Sequence, residues 1–258
     1  MWLAWPERIE LYLGPGLALV RAPAAQRGHA LAFGPGASVA DMLAAVSVEV
    51  ASWGRRRPWR VHVALGGAWC PAVGFEVPEG VAGHGERLAL GRAAVGEDMQ
   101  AEAPDGLDVR LDGRHAGLAS GCAVGVLQAL RDWCADGVGR RARLVSVAPF
   151  WAVATHCAAV GRHEGGLLVR EPSCVTALVP RHRAAEALDA LSVPCEPGDL
   201  GHGSSALPTA LGGYLTALQV DVRQLLALDL TTAAQPIRAD LPRLLAPHWA
   251  LAREAVRP

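Results

Sequence analysis

The chain contains no lysine and no asparagine, and its only isoleucines are Ile9 and Ile237. All 24 of its basic residues are therefore arginine. Codon bias in a GC-rich genome is the simplest cause, but the gap has a chemical consequence whatever its origin. A Walker A loop, a Schiff-base enzyme and a kinase that pairs a lysine with nucleotide phosphates all need an amine this chain does not have. Those three classes are excluded. An excess of either charge is missing too: 24 basic residues face 25 acidic ones. Nucleic acid or an anionic membrane as the main partner usually calls for a basic surface, so neither is expected in that role. C-x-x-C spacing is absent among Cys70, Cys122, Cys134, Cys157, Cys174 and Cys195. Scattered in this way, they read as small buried hydrophobes in a reducing compartment. The start, Met1 to Glu7, lacks the basic region and apolar run of a signal peptide. The uncharged stretch from Leu144 to Gly161 falls short of the roughly 20 residues of a membrane span and holds Pro149 and His156. A buried strand followed by a buried helix accounts for it better.

What is present is an apolar majority. With 51% hydrophobic and 19% charged residues in 258, the chain is globular, with room for one large domain or two modest ones. Strands flank Gly14-Pro15-Gly16, and a third covers His29 to Phe33. Ser38 with Asp41 three residues on is a variant of the capping box. It opens a helix whose apolar face is Val39, Met42, Leu43, Val46, Val50 and Trp53, closed by Gly54. A strand from Val61 to Leu65 runs into Gly66-Gly67, and a paired strand is expected near Val73 to Val77. Helix follows at 85–99, short strands at 109–111 and 116–120, helix at 122–136, strand at 143–147 and helix at 151–160. Beyond a natural boundary at Gly161 to Gly165, the opening is repeated. Strands at 166–170 and 174–179 flank Glu171-Pro172-Ser173, with a helix near 182–191 and a short strand at 192–195. A Gly- and Pro-rich loop, a helix at 206–218, a strand at 224–230 and a terminal arm or helix complete the chain.

Residues able to carry chemistry are few. Nine histidines and six cysteines supply donors, but none recurs at ligand spacing, and no metal site is expected. Gly201-His202-Gly203-Ser204-Ser205 reads as a polar loop ending in a helix cap, since no G-x-S-x-G elbow accompanies it. Phosphate binding is the serious option. Gly14-Pro15-Gly16 can bring backbone close to a phosphate, with Glu171, Ser173 and Thr176 the matching residues of the second hairpin. Magnesium, however, is held through carboxylates and water. The first turn has no carboxylate and the second only Glu171, so both read as plain turns. Arg55, Arg56 and Arg57 follow a helix end, where they interact favourably with its carbonyls. Docking of an acidic segment or of lipid headgroups is their functional alternative.

These features together resemble the actin-like cytoplasmic proteins of type IV pilus and type II secretion platforms, the PilM and GspL group. The likeness rests on the opening hairpin, on Val73 to Pro78 leading to a helix that ends Gly96-Glu97-Asp98-Met99, and on the helix before Leu144 to Trp151. Leu225 to Leu230 stands where the group has a closing strand. The resemblance implies an α/β, actin-like (ribonuclease H-like) duplicated fold of two halves, each opening on a hairpin or meander. The first half is placed at 1–163, a reduced second half at 164–235, and an arm at 236–258. In that group's nucleotide-binding relatives each hairpin turn carries an Asp and a Gly that manage phosphate and magnesium, and both turns here depart from that pattern. The implied function is a non-enzymatic cytoplasmic scaffold, at the inner face of the inner membrane, that binds the tail of a membrane-embedded platform protein. It uses no cofactor, and Arg55, Arg56, Arg57 and the arm are candidate contacts for partner or membrane. A homodimer stays open. So does an alternative, an actin-like ATPase or sugar-kinase relative that binds ATP and magnesium through Gly14, Gly16, Glu171, Ser173 and Thr176.

Overall fold

A computed structural model describes residues 7–22, 27–34, 36–53, 59–101, 103–113, 115, 117–137, 142–155, 166–180, 188–195, 207–221 and 225–230. The chain opens on an antiparallel meander of β1 (Glu7–Gly14), β2 (Leu17–Ala22) and β3 (Arg27–Ala32). Pro15-Gly16 makes the first turn. Proline presets the first central position, and Gly16 takes the left-handed φ of 83° that a type II turn needs at the second. Helix α1 (Val39–Ser52) starts where the sequence places it, with Ser38 and Asp41 forming a reciprocal capping box. Parallel strands β4 (Trp59–Leu65) and β8 (Ala142–Pro149) extend the meander into a five-stranded sheet of order β3-β2-β1-β4-β8. Between them the chain makes β5 (Ala72–Gly74), α2 (His84–Asp98), β6 (Leu107–Leu111), β7 (Leu118–Ala123) and α3 (Val124–Asp132). A π-helical turn at Trp133–Gly137 closes α3, and α4 (Phe150–Thr155) follows β8.

The second half repeats the plan. β9 (Leu167–Glu171), β10 (Cys174–Pro180) and β11 (Leu188–Pro194) form an antiparallel meander, and α5 (Thr209–Ala217) leads to β12 (Leu226–Asp229), parallel to β9. The order β11-β10-β9-β12 therefore reproduces β3-β2-β1-β4. This second sheet does not stop at β11: β5, β7 and β6 continue it to seven strands, so it draws on chain from both sides of the 161–165 stretch.

One expectation is corrected here. The helix placed at 182–191 is not what residues 188–191 form; from Leu188 the chain is strand, paired in register with β10 from Pro180↔Leu188 to Cys174↔Pro194. Leu and Ala are good helix formers, but pairing beside β10 buries this stretch, and tertiary context overrides propensity. The boundary at 161–165, Arg55 to Arg57 and the arm at 236–258 lie outside the described residues.

Four apolar clusters fill the layers. One face of the first sheet packs Ile9, Leu11, Val61 and Val63 against α1 and α3. Trp133 ties those helices together, its Nε1–H donating to Ser47 Oγ at 2.7 Å. The opposite face gives Tyr12, Leu17, Leu19 and Ala64 to a shared core with Leu167, Val169, Leu178 and Ala190 of the second sheet and with Phe150 and Trp151 of α4. The second sheet's other face is covered by α5, and α2 covers β5, β6 and β7. The shared core is where the two halves meet, and it positions the site.

Candidate functional site

The parallel strands β1 and β4 end side by side, Leu13 opposite Leu65, and Gly66 N–H donates to Leu13 O at 2.7 Å. In open α/β sheets the crevice outside such carboxyl ends is the usual ligand position. Gly14, Gly66 and Gly67 line a hollow there that no side chain of their own could share. A Cβ on Gly66 would stand 2.8 Å from both Glu171 Oε1 and Tyr12 Oη, and one on Gly67 2.8 Å from Thr176 Oγ1 and 2.9 Å from Glu171 Oε2. A Cβ on Gly14 would collide with Tyr12 Oη.

The chain fills this hollow itself. Tyr12 folds over Gly14, its ring edge-on to Phe150 with centroids 5.0 Å apart. Its hydroxyl donates to Glu171 Oε1 at 2.7 Å, across 159 residues of sequence. Glu171 Oε2 accepts the Gly67 backbone N–H at 2.8 Å. Beside them Thr176 Oγ1 and Ser192 Oγ are 2.9 Å apart, and Ser192 Oγ accepts the Ala72 N–H at 2.9 Å. Tyr12, Glu171, Thr176 and Ser192 are all buried. Burial lifts the Glu171 carboxyl from 4.5 to about 7, against the hydrogen bonds from Tyr12 and Gly67 that favour its charge. Tyr12 is raised as well, by burial first and then by the neighbouring carboxylate.

Backbone N–H groups at glycine turns are ready-made anion partners. Here the anion partner is a carboxyl of the protein, with both oxygens already engaged. A phosphoryl group entering the hollow has to displace Glu171 and Tyr12 first.

Of the residues singled out by sequence, Gly14, Glu171 and Thr176 come together around Gly66 and Gly67. Gly16 does not belong to that group: its carbonyl accepts Phe33 N–H at 2.9 Å within the meander. Ser173 is buried in the second turn, where its carbonyl accepts Cys195 N–H at 2.9 Å. Sequence reasoning missed Tyr12, Gly67 and Ser192. A signal existed for the first: Tyr12 shares the strand parity of Gly14, so it had to point toward the same cleft.

A second feature lies at the edge of the first sheet. A cavity of about 180 Å³ is lined by six consecutive residues, Leu144 to Pro149 of β8. Side chains of a strand alternate between faces, so an unbroken run means that the strand's backbone edge faces the cavity. Among the described residues β8 pairs with β4 alone. Arg110 and Asp108 of β6 and Arg131 of α3 stand on the far wall, with Arg110 Nη2 3.2 Å from Asp108 Oδ2.

No protein-family model matches the chain, and no curated protein matches it. Solved structures do. Over 95% of this chain and 94% of the other, it is similar to the cytoplasmic domain of EpsL, an inner-membrane component of the type II secretion system of Vibrio cholerae, with a TM-score of 0.51 at 12% identity. A protein with an actin-like ATPase fold and unknown function from Bacteroides thetaiotaomicron matches over 83% of this chain and 78% of its own, with a TM-score of 0.52 at 10% identity. The fold is actin-like. In these terms the repeated meanders are the two actin-like halves, and the hollow filled by Tyr12 and Glu171 lies between the opening hairpins.

Proposed function

We propose that this chain is a non-enzymatic scaffold of a type IV pilus or type II secretion inner-membrane platform. It works at the cytoplasmic face and binds an extended tail of a membrane-embedded partner along the edge of β8. The observation that carries the reading is the occupied hollow: the Tyr12–Glu171–Gly67 bridge stands where an actin-like enzyme needs open space for phosphate. The likeness to a secretion-system cytoplasmic domain over nearly the whole chain supports the platform assignment. Among the described residues no helix is long and apolar enough to cross a membrane.

An added strand gains main-chain hydrogen bonds from an open sheet edge and selectivity from flanking side chains. At β8 those flanking groups include Arg110 and Arg131, which fit a tail carrying a carboxylate. Charge reversal by R131E is therefore expected to weaken tail binding by about tenfold, on the scale of a lost interfacial charge contact. Titration of the cytoplasmic tails of platform proteins against both forms measures this. Affinity capture that returns no platform protein, while a PilM control captures its own partner, counts against the whole reading. Thermal unfolding with Mg-ATP provides a separate check. A nucleotide at about a hundred times its dissociation constant stabilises by roughly 2.7 kcal/mol, and the filled hollow predicts no shift. A clear rise in Tm restores the ATPase alternative.

A further inference from the structure

Cys70 and Cys122 come from different parts of the fold and meet at one place. Cys70 ends the turn after β4, where its N–H donates to Gly66 O at 2.9 Å. Cys122 is the penultimate residue of β7, just before α3. Both thiols are free, each residue is 5% exposed, and both line the 180 Å³ cavity beside β8. The two residues share that cavity's lining with Ser120, and each thiol shifts the other's titration. Ser120, Asp108, Arg110 and Arg131 place polar groups in a lining that is otherwise largely apolar.

We infer that Cys70 and Cys122 form a redox-active dithiol, oxidised to a disulfide by a peroxide that enters the cavity beside β8. Cys122 is the attacking sulfur. The hydrogen bond from Cys70 lowers its pKa, and Arg110 and Arg131 add to this against burial and the Asp108 charge. The same hydrogen bond, then burial, pushes Cys70 up. In the first step the Cys122 thiolate attacks the peroxide, so that an S–O bond forms and the O–O bond breaks. The sulfur is oxidised by two electrons to a sulfenic acid, and the leaving hydroxide or alkoxide takes up a proton. In the second, the Cys70 sulfur attacks that of Cys122; the S–S bond forms, the S–O bond breaks, and water departs with the Cys70 proton. The net change is two thiols and one peroxide giving a disulfide, water and an alcohol, or a disulfide and two waters for hydrogen peroxide.

The other described cysteines are poorer candidates. Burial pushes Cys134 up to about 11, Cys174 is fully buried and raised in the same direction, and Cys195 directs its thiol to Val193 O at 3.4 Å. Reactivity follows thiolate character and access. Oxidation of the pair needs no partner to be present, so its test does not depend on tail binding.

The reduced full-length chain is exposed under native conditions to hydrogen peroxide in small excess and mapped by non-reducing peptide mass spectrometry. The expected product is a Cys70–Cys122 disulfide, lighter than the starting protein by two hydrogen atoms. C122S loses that product entirely, whereas C70S stops at a sulfenic acid on residue 122 that a cyclic dione traps. Circular dichroism checks that each variant is folded, and if one is not, the wild-type map decides alone. A disulfide between any other pair, oxidation undiminished in C122S, or thiols that survive a dose consuming free cysteine overturns the inference.

Discussion

E171A lowers the free energy of unfolding by about 3–5 kcal/mol at pH 5.5. Glu171 accepts from two buried donors, the Tyr12 hydroxyl and the Gly67 N–H. Truncation to alanine leaves the Gly67 N–H without an acceptor and the Tyr12 hydroxyl without a partner, at about 1–3 kcal/mol each. The space left behind adds to the cost, because neighbours in a packed core relax only partly. At pH 5.5 the carboxyl is neutral in the fold, so no buried charge is removed to offset these losses. At pH 9 it is ionised, and the penalty shrinks. Urea unfolding of both proteins at the two pH values measures this. A difference within about 0.5 kcal/mol at pH 5.5, the size of an ordinary surface substitution, sinks the claim that this bridge stabilises the fold.

E171Q is expected to flatten the pH dependence of stability. The folded carboxyl titrates near 7, against 4.5 for an unperturbed one. A folded-state pKa above the unfolded one means that the native state holds its proton longer. The stabilisation is then complete below about pH 4.5 and lost as pH rises through 7. The loss is on the order of 3 kcal/mol. Glutamine cannot ionise, and it keeps both contacts. Its carbonyl accepts from Gly67 N–H while its amide donates to a Tyr12 hydroxyl turned around to accept. The variant should match wild type near pH 5 and exceed it above pH 8. Glu10 and Asp98, both also raised by burial, remain in both proteins and leave a common residual slope. If the two profiles run parallel from pH 5 to 9, Glu171 is not the titrating group.

The elements of this fold were legible where local rules and tertiary packing agree. The capping box at Ser38 and Asp41, the Pro-Gly turn of the first hairpin and the near-continuous apolar runs of β1, β2, β9 and β10 need no distant partner to be recognised. β11 did need one: Leu188-Asp189-Ala190-Leu191 is helical by propensity and becomes strand through β10. The site divides in the same way. Gly14, Glu171 and Thr176 could be named because hairpin turns mark themselves by their glycines, prolines and polar residues. That Glu171 would close on Tyr12 depends on a contact spanning 159 residues, and no local pattern encodes such a pairing. The Cys70–Cys122 meeting was hidden for the same reason. Their spacing matches no motif, and only the turn after β4 and the end of β7 bring them together.

The junction of β11 with β5 sets a dimension of the molecule. It consists of the Leu191↔Val73 pair, reinforced by Ala72 N–H donating to Ser192 Oγ at 2.9 Å. A two-lobed protein that closes on its ligand does so by hinge or shear between its lobes, and a sheet running without a break through both halves resists that motion. The slot between β8 and the β6–β7 wall then behaves as a gauge block: its gap is fixed when the chain folds, and under the strand addition proposed above it would sort partners by thickness.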